Sequence, residues 1–231
     1  MPQTWMITGA NRGIGLALTM ELLRKGEHVV AAARNPYGGV LAELAAEHPA
    51  ALIPLELDVT SDESVAAAKA ALAGKPIDVL LNNAGVLGVR GDETALAMDF
   101  AMWREVFEVN VYAPLRVAQA FLPNVEAGSG RKIATITSRM GSIGLNPSGS
   151  LPYRSSKAAV NMTMVVFGNA VRERGVSVLL FHPGWVKTDM GGVGADITPA
   201  QSASGLIATI DASGMADTNS FRTWNGETIP W

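Results

Sequence analysis

TWMITGANRGIGLALTMELLRKGEHVVAAARNP, running from Thr4 to Pro36, sets the architecture of the whole chain. It reads as an apolar strand, TWMIT, then a glycine-rich turn, a helix from Ile14 to Lys25 and a second apolar strand, HVVAAA. Both strands are apolar at successive positions, so both of their faces must be covered. A parallel sheet flanked by helices meets that demand, and a β-α-β unit is how it begins. The turn carries Gly9, Gly13 and Gly15 in the spacing G-x-x-x-G-x-G. Glycines there allow a tight turn and let backbone approach a pyrophosphate, which the unpaired N–H groups of the helix N-terminus stabilise. A dinucleotide is the leading ligand, with Gly9, Asn11, Arg12, Gly13, Ile14 and Gly15 as its candidate contacts.

The second strand ends in AAARNP, where an NAD site places an acid on the ribose diol. This chain supplies Arg34, which suits a 2′-phosphate through charge-assisted hydrogen bonds, and Arg12 is a second candidate. NADP(H) is therefore favoured over NAD(H).

Outward from this unit the alternation continues. A helix near Gly38 to Glu47, strand ALIPLEL, a helix over Asp62 to Ala73 and strand IDVLL ending at Asn82 come first. A long helical region from about Met98 to Val125, interrupted at Pro114, precedes strand KIATIT, a helix beginning near Tyr153 and strand VSVLLF. Thr198 suits an N-cap with Pro199 at the first helical position, and that helix runs toward Ala212 before a short strand, FRTW. Seven strands without a linker predict an α/β chain: a single Rossmann-type, doubly wound domain over residues 1–231, its parallel sheet covered by helices on both faces.

The totals agree. At 231 residues, 48% hydrophobic and 17% charged, the chain can bury one sizeable core. A net charge of −3 offers no broad basic surface, so no nucleic-acid partner is expected. The absence of cysteine removes disulfides and thiolate zinc sites, and His28, His48 and His182 lack metal-ligand spacing, so no metal is expected. No basic leader and no stretch near eighteen apolar residues is visible, which predicts a cytoplasmic protein with no membrane partner.

YRSSK, Tyr153 to Lys157, puts a phenol and an ammonium four residues apart, on one face of a helix. A cation beside a phenol favours the phenolate and lowers its pKa, making the tyrosine a usable general acid. Alternatively, Tyr153 merely ends a helix and Lys157 snorkels to solvent.

Taken together, TGANRGIG, NNAG at Asn82 to Gly85, YRSSK and HPGWVKTDM, in that order, resemble the short-chain dehydrogenase/reductase family over nearly the whole chain. Within it, ARNP and the tail FRTWNGETIPW look most like the C-factor and Sniffer-like carbonyl reductase branch. The resemblance implies cofactor contacts from Asn82, Ala84 and Gly85, from Asp58 and Val59 at the adenine, and from Pro183, Gly184, Val186 and Thr188 at the nicotinamide. It makes Tyr153 the proton donor and Lys157 its neighbour that also binds the nicotinamide ribose. Asn110 becomes the relay asparagine, holding a water between Lys157 and solvent, and Ser138 the substrate-orienting serine. Ser142 stays open for that last role. Ser138 is preferred because it lies closer to the end of the fifth strand, where ligands gather in open α/β sheets.

The expected activity is hydride transfer between NADP(H) and a small aldehyde, ketone or alcohol. Between Thr188 and Thr198 only a short loop intervenes; its Gly191, Gly192 and Gly194 predict mobility, and Leu145, Trp185 and Met190 are possible walls of an open apolar site. Excess apolar surface on the helix of Tyr153, at Met162 and Val166 among others, suggests a homodimer or homotetramer. The alternative function is a dinucleotide-binding sensor or signalling protein with incidental turnover. A hydrolase using Ser142 and His182 lacks the G-x-S-x-G elbow.

Overall fold

The computed structural model describes residues 1–88, 96–145 and 148–231. Strand β1 (Thr4–Thr8) turns through the glycines into α1 (Gly13–Arg24), which returns the chain to β2 (His28–Ala33), parallel to β1 with Ile7 opposite Ala31. Helix α2 (Gly39–Glu47) and β3 (Leu52–Glu56) extend the sheet on that side. Helix α3 (Asp62–Leu72) carries the chain back across, so that β4 (Val79–Asn82) pairs with the other edge of β1. Then follow α4 (Phe100–Phe107), α5 (Ala113–Ala127), β5 (Lys132–Ile136), α6 (Leu151–Val171), β6 (Ser177–His182), α7 (Pro199–Ala212) and β7 (Phe221–Thr223). The result is one seven-stranded sheet in the order β3-β2-β1-β4-β5-β6-β7, parallel throughout. Order reverses between β1 and β4, and a crevice opens at the carboxyl ends of the strands there, where open α/β sheets bind ligands.

Two apolar layers hold the sheet. Met6, Val30 and Leu80 pack with Phe121 of α5 and Val160 and Met164 of α6. Trp5, Ile7 and Val29 face the opposite way, onto Leu18 and Leu22 of α1 and Leu206 and Ile210 of α7. Each such side chain, taken fully from water, contributes about 1.5–3 kcal/mol. This two-sided burial explains why the strand centres are apolar at successive positions.

The helical region after β4 differs from the sequence expectation. It is not broken at Pro114, which lies in the first turn of α5; the irregularity comes one turn earlier, as a π-helical turn over Glu108–Tyr112. A proline ring clashes with the carbonyl four residues back in a regular helix, and a widened turn before it relieves that clash. Pro123 also sits inside α5. Helix α7 starts with Thr198 and Gln201 in a reciprocal capping box.

The loop from Thr188 to Thr198 is tied down rather than loose. Lys187 donates its N–H to the Ile197 carbonyl at 2.9 Å, Asp196 and Ile197 donate to the Trp185 carbonyl, and the Trp185 indole donates to Gly191 at 2.9 Å. Gly191 serves close packing, since a Cβ there would meet the Val186 carbonyl.

Candidate active site

Thr8, the last residue of β1, fastens the crevice. Its hydroxyl accepts the N–H groups of Asn83 at 3.0 Å and Ala84 at 3.1 Å, while the Asn83 amide donates to the carbonyls of Thr8 at 2.9 Å and Gly9 at 3.2 Å. Asn83 thus joins the segment after β4 to the glycine turn. Sequence reasoning passed over it for Asn82, which is buried and donates to the Pro114 carbonyl instead. Arg12 precedes α1 without a side-chain cap, which leaves the first N–H groups of that helix for an anion.

Along the side of the crevice formed by β2 and β3, Asp58 accepts both the hydroxyl of Thr60, at 2.7 Å, and its N–H, at 2.9 Å. Those two bonds, helped by the charges of Arg34 and Arg116 and opposed by burial, hold its carboxyl below the usual range. Arg34 is exposed at the end of β2, with its guanidinium available to an anion. Arg12 meets Asp189 at 3.5 Å, both side chains mostly in water, so that pair is worth little.

At the other end, Tyr153 and Lys157 project from α6, 9% and 5% exposed. The Lys157 ammonium stands 5.6 Å from the centre of the Tyr153 ring, within cation–π range, and donates to the Ile136 carbonyl at 3.1 Å. Burial pushes the Tyr153 phenol up and outweighs its hydrogen bond with Ser138, which pulls it down. Burial also brings Lys157 down to about 8. The expected depression of Tyr153 by Lys157 is therefore not what these side chains produce. The ammonium lies over the ring rather than at the hydroxyl, and desolvation dominates.

Ser138, two residues beyond β5, caps the short 3-10 turn Arg139–Gly141 by accepting the Met140 N–H at 3.1 Å, and its hydroxyl also lies at Tyr153. Ser142 is buried, and its hydroxyl has no hydrogen-bond partner among the described residues. His182 is held neutral, its pKa lowered to about 4 by burial and the Arg139 charge, and its Nδ1 has no partner among the described residues either. No Ser142–His182 couple forms. Asn110 sits in the π-helical turn; its amide accepts the Val86 N–H at 2.9 Å and donates to the Val86 carbonyl at 2.8 Å and to Ser156 at 3.0 Å.

One cleft of about 940 Å³ joins these groups. Gly9, Asn11, Arg12, Gly13 and Ile14 form one wall; Arg34, Asp58 and Val59 form a second; Ala84, Gly85, Pro183 and Thr188 complete it around Tyr153 and Lys157. Met190 also lines it, whereas Gly15, Asn82, Asn110, Ser138, Leu145, Gly184, Trp185 and Val186 lie behind or beside the lining. Two observations fit a dinucleotide. The glycine turn presents bare backbone, since a Cβ on Gly15 would lie 2.2 Å from the Gly9 carbonyl oxygen. The Lys157 ammonium, with three donors, has one protein acceptor among the described residues and so can serve ligand hydroxyls. Among the described residues no group of acidic, histidine or cysteine side chains could hold a metal, and no helix is long and apolar enough to cross a membrane.

Residues 3–196 match the family model described as short chain dehydrogenase. The chain belongs to that family. A family member from Rhodococcus sp. (strain AD45), 1-hydroxy-2-glutathionyl-2-methyl-3-butene dehydrogenase, is 38% identical over 99% of both chains. The C-signal of Myxococcus xanthus is 40% identical over 68% of this chain and 93% of its own length. Among solved structures, the NADPH-bound carbonyl reductase from chicken fatty liver superposes with a TM-score of 0.90 at 34% identity, covering 100% of this chain and 99% of that one. The chain is thus an oxidoreductase of the short-chain family, with its likeness in the carbonyl reductase branch.

Proposed function

We propose that this chain reduces small aldehydes and ketones with NADPH, and oxidises the corresponding alcohols with NADP⁺ in reverse. The observation that carries the reading is the hydrogen-bonded Ser138–Tyr153 pair beside the buried Lys157 ammonium, at one end of a cleft whose other end offers Arg34. When bound, the cofactor supplies a hydride to the carbonyl carbon. Ser138 holds the carbonyl oxygen, and Tyr153 hands its proton to that oxygen as negative charge develops there. A phenol kept protonated by burial suits this reducing direction. Lys157 orients the nicotinamide ribose, and Asn110 stiffens the turn behind it through Val86 and Ser156. Arg34 receives the 2′-phosphate. The carbonyl reductase structure, obtained with NADPH, supports the cofactor assignment.

The test is loss of NADPH absorbance with a panel of aldehydes, ketones and quinones, wild type against Tyr153→Phe. Removing a general acid costs about 10²–10⁴ in rate. Equal rates in the two proteins would remove Tyr153 from the mechanism. A second reading, dinucleotide binding in a signalling role, draws on the similarity to C-signal; it calls for cofactor affinity without turnover on any substrate of the panel. Exposed Met162 and Val166 on α6 support self-association through that helix, which sedimentation measures.

A further inference from the structure

Arg116 of α5 has no role in the reading above, yet its guanidinium is fully engaged. Its Nε meets Asp62 at the start of α3, Nη1 donates to the Val59 carbonyl at 3.1 Å, and Nη2 meets Glu108 at 2.9 Å. Val59 and Glu108 both line the cleft. Val59 belongs to the turn after β3, next to Asp58. Glu108 opens the π-helical turn that carries Asn110.

We propose that Arg116 is a positioning residue for the cofactor, locking the turn at Asp58–Thr60 against the π-helical turn so that this wall of the cleft is formed before binding. The proposal rests on the dinucleotide reading of the site. Inside the Asp58 turn the bonds are local, from Thr60 to the carboxylate and from the Asp58 N–H to Ser64 at 2.8 Å. They give the turn its shape but do not set its distance from α5. Arg116 sets that distance, by holding a backbone carbonyl on one side and a carboxylate on the other. A planar fork with several fixed donors can do this at once, whereas a lysine ammonium on a flexible stem cannot hold the same spread of acceptors in one geometry. The side chain is 24% exposed, so part of the network is sheltered from screening. Because the wall is the same before and after hydride transfer, its loss weakens cofactor binding without slowing the chemical step.

Arg116→Leu and Arg116→Lys in the full chain test this by three readouts: NADPH dissociation constant from fluorescence titration, kcat with saturating NADPH, and amide hydrogen exchange without cofactor. For Arg116→Leu, loss of a charged hydrogen bond predicts an NADPH Kd raised about tenfold. Its kcat stays within about twofold of wild type. Exchange quickens at Val59–Ser61 and at Val109–Tyr112 while the central strands keep wild-type protection. Arg116→Lys keeps the charge and falls between. Should the leucine variant not fold, the lysine variant decides: a raised Kd with faster exchange confined to those two segments supports the proposal. Wild-type Kd and exchange in a folded variant overturn it, as does a fall in kcat with Kd unchanged. If wild type itself does not bind NADPH, the cofactor reading fails, and exchange alone still decides whether Arg116 joins the two turns.

Discussion

Gly15→Ala sets two effects of opposite sign against each other at the cofactor cradle. Gly15 lies in the first turn of α1, where alanine would stabilise a helix by about 1 kcal/mol over glycine. A Cβ at that position would sit 2.2 Å from the Gly9 oxygen, 2.6 Å from Asn83 Nδ2 and 2.9 Å from the Gly9 carbonyl carbon. Non-bonded contacts to carbon settle near about 3.5 Å, so the overlap with backbone is roughly 1 Å. Asn83 cannot retreat cheaply, because its amide is bonded to the Thr8 and Gly9 carbonyls. Overpacking costs about 1–3 kcal/mol, and loosening one of those hydrogen bonds adds about 1 kcal/mol, so strain exceeds the helix gain. The net loss of about 1–3 kcal/mol corresponds to a fall in Tm of about 2–12 °C for a chain of this size.

Function responds more strongly than stability. The relief of overlap must come from the Gly9–Arg12 turn or the start of α1, and a shift of about 1 Å in a positioning element can cost about 10²-fold. NADPH affinity is expected to fall by about that factor, read by fluorescence titration beside a thermal melt. A variant with raised Tm and unchanged NADPH affinity would refute the close packing of Gly15 on Gly9, and with it the cradle.

Arg34→Ala is expected to weaken NADPH binding by about tenfold or more while leaving NADH nearly unchanged, because only the former offers a 2′-phosphate for a charge-assisted pair. Asp78 is buried, which opposes its ionisation, but N–H groups of Thr4, Ser129 and Gly130 and the Ser129 hydroxyl more than offset this and lower its pKa. The stability it contributes is present above the unfolded carboxyl value and lost as pH falls through the folded one; Asp78→Asn, with an amide facing a donor, should cost about 1–3 kcal/mol in urea melts at pH 7 and flatten that acid limb. Lys157 titrates at about 8 in the fold against 10.5 in the open chain, so the unfolded chain holds the extra proton and stability rises with pH across that window. NADPH affinity moves the opposite way, falling as pH passes about 8 and the ammonium is lost.

The fold was legible because its signals are local. Two-sided apolar strands, a capped α7 opening on Thr198 and Pro199, and the turn glycines each report on a few neighbouring residues, and the sheet follows from their order. The helix after β4 was less so. Pro114 announces a disturbance, but its widened turn falls over Glu108–Tyr112, because the clash a proline causes is with the preceding turn and not with its own. The glycines after Thr188 predict freedom; the hydrogen bonds of Trp185, which join positions six to twelve residues apart, hold the ends of that loop together, and of its glycines Gly191 is close-packed while Gly192 has open space around it.

The candidate site divides along the same line. Tyr153 and Lys157 could be found from spacing on one helix, and their ring-to-ammonium approach of 5.6 Å follows from it. The sign of the phenol's shift could not, since it depends on how much water the sheet, α6 and the segment after β4 exclude together. In water, a cation near a phenol would dominate; in this crevice the same exclusion acts on both groups, raising the acid and lowering the base, so each is driven toward its neutral form. Such a pair favours proton donation over proton removal at neutral pH. Alcohol oxidation, which needs the phenolate, should therefore climb with pH beyond the range in which carbonyl reduction is already at its plateau, and pH–rate profiles in both directions measure the separation. An oxidation limb with its midpoint at or below the ordinary phenol value would mean that burial does not govern this site.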